Sequence, residues 1–77
     1  MNEAEKKIIE KLIKSEREEN EDVVFPEMGY LVEEMYREGT LSPEWKTLVG
    51  EYMAETPPGS DNFSYLDFIV LLYKTFH

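Results

Sequence analysis

Phe63-Ser64-Tyr65-Leu66-Asp67-Phe68-Ile69-Val70-Leu71-Leu72 follows, forty residues on, the pattern of Val23-Val24-Phe25-Pro26-Glu27-Met28-Gly29-Tyr30-Leu31-Val32. Each stretch reads as a short extended segment entering a helix. Each places an acid, Glu27 or Asp67, just inside that helix, with an aromatic two residues before it and a large apolar residue directly after. The same shift pairs Ile8 with Leu48, Ile9 with Val49, Leu12 with Tyr52, Ile13 with Met53 and Tyr36 with Phe76, without a gap. The chain therefore reads as one repeated unit, spanning about 3–38 and about 42–77. The match is one of pattern, and four amphipathic helices of similar length also align this way by chance.

Working outward, Asn2 followed by Glu5 resembles a capping box, and Ala4, Ile8, Ile9, Leu12 and Ile13 recur at helical spacing, which predicts a helix over about 3–18. Glu3 with Lys7 and Glu10 with Lys14 are Glu-before-Lys pairs at i,i+4 on its solvated face. Residues 15–22 are almost wholly polar and read as a helix end and a loop. Pro26 suits the first turn of a second helix, with Met28, Leu31, Val32, Met35 and Tyr36 as its buried stripe and Gly39 as its stop. Ser42-Pro43-Glu44 opens a third helix over about 43–55, with Trp45, Leu48, Val49, Tyr52 and Met53 inward, and Pro57-Pro58-Gly59 ends it. Ser64 caps the fourth helix, with Asp67 at N3 and Phe63 and Phe68 placed for a hydrophobic staple. From Leu66 to Tyr73 this helix is apolar all round, more than so small a domain can bury within itself.

The 77 residues make one small domain, expected to bury only about 60 to 65 percent of the unfolded chain's surface. Without cysteine there is neither a disulfide staple nor a thiolate metal site. The net charge is −9, from 17 acidic and 8 basic groups. That sign disfavours nucleic acid and favours a cationic partner, although acidity also serves plain solubility. The longest apolar run, Phe68 to Tyr73, falls far short of the roughly 20 residues of a membrane span, and no secretory segment is evident at the start. A soluble, cytoplasmic protein is the expectation.

Two units of helix, loop, short extended turn and helix resemble an EF-hand pair, a single calmodulin-like lobe. Val23 to Met28 and Phe63 to Phe68 look like the end of an EF loop and the start of its exiting helix. The resemblance implies an all-α fold of four helices in two helix-loop-helix units, with loops 16–27 and 56–67. It also implies that Val23 and Phe63 join the units through a short two-stranded bridge. The ligand positions depart from the family, since a Ca²⁺ loop needs oxygen ligands at positions 1, 3 and 5, Gly at 6 and a bidentate Glu at 12. The second loop offers Thr56, Pro58 and Ser60, with Asp61 in the glycine's place and the shorter Asp67 at the end. The first offers Glu16, Glu18, Asn20 and Glu27, but Glu21 replaces the glycine. No metal and no cofactor are expected, and any ion bound would be held weakly by those four residues of the first loop.

An EF-hand pair that does not depend on Ca²⁺ implies a binding module whose groove takes an amphipathic helix. By helical position the groove residues are Leu31, Val32, Met35, Trp45, Met53, Phe68, Leu71 and Leu72; the competing reading of each is core. The outline is similar to the small single-lobe myosin light chains, which implies a basic IQ-type helix as partner. Two other readings stay open: a Ca²⁺ sensor working through the first loop, and a small acidic helical inhibitor or adaptor without EF-hand ancestry, with a homodimer through the fourth helix. An enzyme is the least expected, because the one histidine is His77 and no serine has an evident base near it in sequence.

Overall fold

The computed structural model describes all 77 residues, as four helices: α1 (Glu3–Glu18), α2 (Glu21–Glu38), α3 (Pro43–Glu55) and α4 (Tyr65–Phe76). Helix α1 begins where the capping box places it. The Glu5 N–H donates to Asn2 Oδ1, and the Asn2 N–H donates to Glu5 Oε1, each at 2.9 Å. The same carboxylate reaches a second helix, because Glu5 Oε2 accepts the Ser42 N–H at 2.7 Å, at the cap of α3. Asn2 Nδ2 adds a bond to the Thr40 carbonyl at 3.0 Å. One wholly buried acid thus satisfies orphan donors at the starts of α1 and α3 and ties those starts together.

The α1–α2 connection differs most from the sequence reading. Helix α1 runs to Glu18, Glu19 closes it in the left-handed region (φ 57°), and Asn20 holds the N-cap position of α2 without a side-chain hydrogen bond. The Val23 and Val24 N–H groups both donate to the Asn20 carbonyl, so α2 is under way five residues before Pro26. Pro26 sits inside the helix, where it removes the donor that the Asp22 carbonyl would receive. Asp22 is exposed, so water can replace that donor. Glu21 and Asp22 supply first-turn acids that favour the helix start.

The bridge between Val23 and Phe63 is accordingly absent, and the fold contains no strand. Val23 lies within α2 and is 62% exposed, its backbone committed to helical bonding. Phe63 packs its ring instead against Tyr52, Tyr65 and Phe68. The stretch 16–27 is two helix ends and a tight turn rather than a long loop; only Thr56 to Ser64 forms an extended connection. The i,i+4 pairs expected on α1 are replaced by a single Glu3–Lys6 contact at 3.7 Å.

The core gathers Ile8, Ile9 and Leu12 of α1, Phe25, Met28, Val32 and Met35 of α2, Trp45 and Val49 of α3, and Phe68, Ile69 and Leu72 of α4. Buried positions recur at the forty-residue offset: Ile9 and Val49, Met28 and Phe68, Gly29 and Ile69, and Val32 and Leu72 are buried in both halves. Helix α2 packs most extensively on α4. Their close approach falls at Gly29, where an added Cβ would lie 2.8 Å from the Tyr65 carbonyl oxygen. Aromatic pairs seal the rest of α4, with Trp45 stacked on Phe76 (5.3 Å) and Tyr52 on Phe68 (5.4 Å).

Candidate functional site

Five of the eight expected groove residues, Val32, Met35, Trp45, Phe68 and Leu72, lie in the core. Met53 is half-buried against them. Only Leu31 and Leu71 are exposed, and they stand on different helices. The closure of α2 onto α4 fills the space that a groove through these residues would need. No open groove joins the eight in this conformation.

The apolar surplus of α4 emerges elsewhere. Leu66, 42% exposed, and the half-buried Val70 and Tyr73 face Phe25 of α2 across an open cleft of about 550 Å³. Glu16 from the end of α1 and Glu21 from the start of α2 form its acidic side, and Lys74 and His77 lie at the end of α4. The two-residue turn brings this about, because it sets the last turn of α1 beside the first turn of α2. Between positions 16 and 22 the chain carries five acids, Glu16, Glu18, Glu19, Glu21 and Asp22, against the single cation Arg17.

Tyr73 anchors the floor. Its ring meets Phe25 edge-on at 5.5 Å and stacks on His77 at 4.6 Å. Burial, reinforced by the neighbouring Glu16 carboxylate, pushes its hydroxyl pKa up to about 12. A second polar knot lies at the other end of the α2–α4 seam. There the Tyr65 hydroxyl donates to the buried carboxylate of Glu33, which also pairs with Arg37. That hydrogen bond, with burial, raises Tyr65 to about 12 as well, and its ring lies 3.9 Å from that of the exposed Tyr30.

Glu16 and Glu18 occupy the last turn of α1, Asn20 holds the N-cap position of α2, and Glu27 follows two turns on. Glu18, Asn20 and Glu27 border one cleft, which Lys11 and Lys14 also line, while Glu16 faces the other side of the α1–α2 hairpin. Nowhere do three or more His, Cys, Asp or Glu side chains gather as a metal-binding group.

Leu66, Val70, Tyr73, Phe25, Glu16 and Glu21 were not grouped by sequence reasoning. The signal for half of them was present in the all-round apolar character of α4. The acidic side required knowing that Asn20, rather than Pro26, starts α2. No helix is long and apolar enough to cross a membrane. No protein-family model matches the chain, and comparison with curated proteins and with solved structures returned no match.

Proposed function

We propose that the protein is a binding module for a basic amphipathic helix, held in the cleft between α4 and the α1–α2 turn. The observation that carries this reading is the pairing of a partly exposed apolar floor with acids along one side. A helix laid there would cover Leu66 and Val70 with its apolar stripe and turn its Lys or Arg residues towards Glu16, Glu21 and the acids of the turn. The overall charge of −9 adds long-range attraction for such a partner and raises its rate of encounter. Lys74 at the far side would disfavour a helix that is basic on both faces, so the partner's charge belongs on one flank.

The narrower form of the proposal, a light-chain-like lobe on an IQ-type motif, draws on the forty-residue register of buried positions. Residues 16–27 are helical apart from Glu19 and Asn20, so the first loop lends no support to that form or to a Ca²⁺ sensor. The module reading needs neither loop. Its test is titration of the full chain with a synthetic basic amphipathic peptide, followed by calorimetry. Leu66→Asp with Val70→Asp should weaken binding by tenfold or more, roughly the 1.4 kcal/mol or greater expected for losing an apolar anchor. Glu16→Lys with Glu21→Lys should reduce both affinity and its salt dependence. Unchanged affinity in both variants would remove the cleft from consideration.

A further inference from the structure

The cations of this acidic chain are not scattered. Five of the eight, Lys6, Lys7, Lys11, Lys14 and Arg17, lie on α1. Lys7, Lys11 and Lys14 share the flank of α1 that faces α2, spaced i, i+4 and i+7, so the row is about 10 Å long. The fold contains two ion pairs, Lys6 with Glu3 and Arg37 with Glu33, and none of these three lysines takes part in either. With 17 acids available, three adjacent lysines remain without a carboxylate partner.

The row borders a groove. Two clefts, of about 250 and 260 Å³, run along the outside of the α1–α2 hairpin and share Lys11 and Met28. At the end nearest the starts of the lysine row the floor is apolar, built from Ile8, Met28 and the 39% exposed Leu31. At the other end it turns polar. Glu18 and Glu27 stand there, with Asn20, whose Oδ1 is buried and has no hydrogen-bond donor. An occupant must therefore be anionic along one flank, apolar beneath, and able to donate a hydrogen bond at the Asn20 end.

We propose that this groove docks an acidic amphipathic helical segment of another protein, its carboxylates spaced to meet Lys7, Lys11 and Lys14. A short segment fits better than a second copy of this chain. A second copy would place many of its 17 acids within the roughly 8 Å over which charges act at physiological salt, whereas a segment brings only its few carboxylates, and those to the lysines. Phosphate ligands satisfy the lysines but offer no side chain for the Ile8–Leu31 floor. The site lies on α1 and the outer flank of α2, apart from the cleft beside α4, so the protein would join an acidic segment to a basic one.

The experiment mixes the full chain with a fluorophore-labelled synthetic helical peptide carrying Glu at i, i+4 and i+7 and Leu at i+3, and measures anisotropy across a salt series. Saturable binding that weakens as salt rises is expected. Lys7→Glu with Lys11→Glu should reduce affinity about tenfold or more, as should Leu31→Asp. A peptide with Gln in place of Glu should bind like the variants. These positions are exposed, and a melting curve followed by circular dichroism checks that the variants fold. Glu16→Lys with Glu21→Lys should leave this binding intact, which separates it from the cleft beside α4. The inference is overturned if the wild-type chain does not bind the peptide, or if the lysine variants bind it equally. It is also overturned if sedimentation shows a dimer that these variants dissociate, or if phosphatidylserine vesicles or polyphosphate bind as tightly as the peptide.

Discussion

A side chain at residue 29 has no room. The Cβ of an alanine there would lie 2.8 Å from the Tyr65 carbonyl oxygen and 3.2 Å from its Cβ, and the carbonyl belongs to the first turn of α4, which cannot swing aside. Alanine is favoured over glycine in a helix by about 1 kcal/mol, so propensity alone predicts stabilisation. The clash should win. Gly29→Ala is expected to destabilise by about 1–3 kcal/mol, because the α2–α4 seam must open to admit it. Thermal melting checks the sign against Gly50→Ala, whose new methyl meets only the Tyr36 hydroxyl at 3.3 Å, the far end of a side chain that can move. Gly50→Ala should melt at or above the wild-type temperature and Gly29→Ala below it.

Between elements, one carboxylate holds two helix starts, and this can be measured. Glu5→Ala leaves the Asn2 and Ser42 N–H groups without their acceptor and vacates a wholly buried site, which should cost about 2–4 kcal/mol in urea unfolding. Glu5→Gln keeps one acceptor oxygen and should lose less, while amide exchange at Ser42 should speed up in both. The capping half of this role was legible in the sequence, as were the bounds of α1 and α3 and the cap of α4. The link to α3 was not, since a residue's own helix says nothing of what lies across the core. Helix α2 was misplaced because Pro26 reads as a first-turn residue, and that signal outweighed Asn20 with the acids after it. Once α2 starts at Glu21, the long loop and the bridge through Val23 disappear together. Helical spacing finds the apolar face of each helix, but not which faces close on each other, as α2 and α4 do at Gly29. The surplus on α4 was read correctly as surplus; Leu66 and Val70 carry it beside acids that only the tight turn brings near.

At the scale of the whole molecule, two tyrosine hydroxyls of α4 make the stability of the fold depend on pH. Tyr65 ties α4 to Glu33 of α2 by a hydrogen bond, and Tyr73 of α4 is half-buried near Glu16 of α1. In the unfolded chain a tyrosine ionises near 10, and in the fold both are raised to about 12. Between those values the folded state holds protons that the unfolded state has released, so stability must fall as pH rises. Below about pH 10 the contribution is fully present, and above about 12 it is gone. Net charge gives a rival cause, because a chain at −9 becomes still more negative as pH rises, and self-repulsion grows. Salt separates the two: it screens repulsion between exposed charges and has little effect on the Tyr65–Glu33 hydrogen bond or on the burial of Tyr73. Denaturant unfolding across pH 9–12 at low and high salt should therefore show a decline that persists in high salt. Tyr65→Phe should begin less stable by about 1–2 kcal/mol, since it leaves the buried Glu33 with one donor fewer, and then decline less steeply. Tyr73→Phe should remove a second part of the slope. If the double variant in high salt declines as steeply as the wild type, the alkaline loss of stability does not come from these two tyrosines.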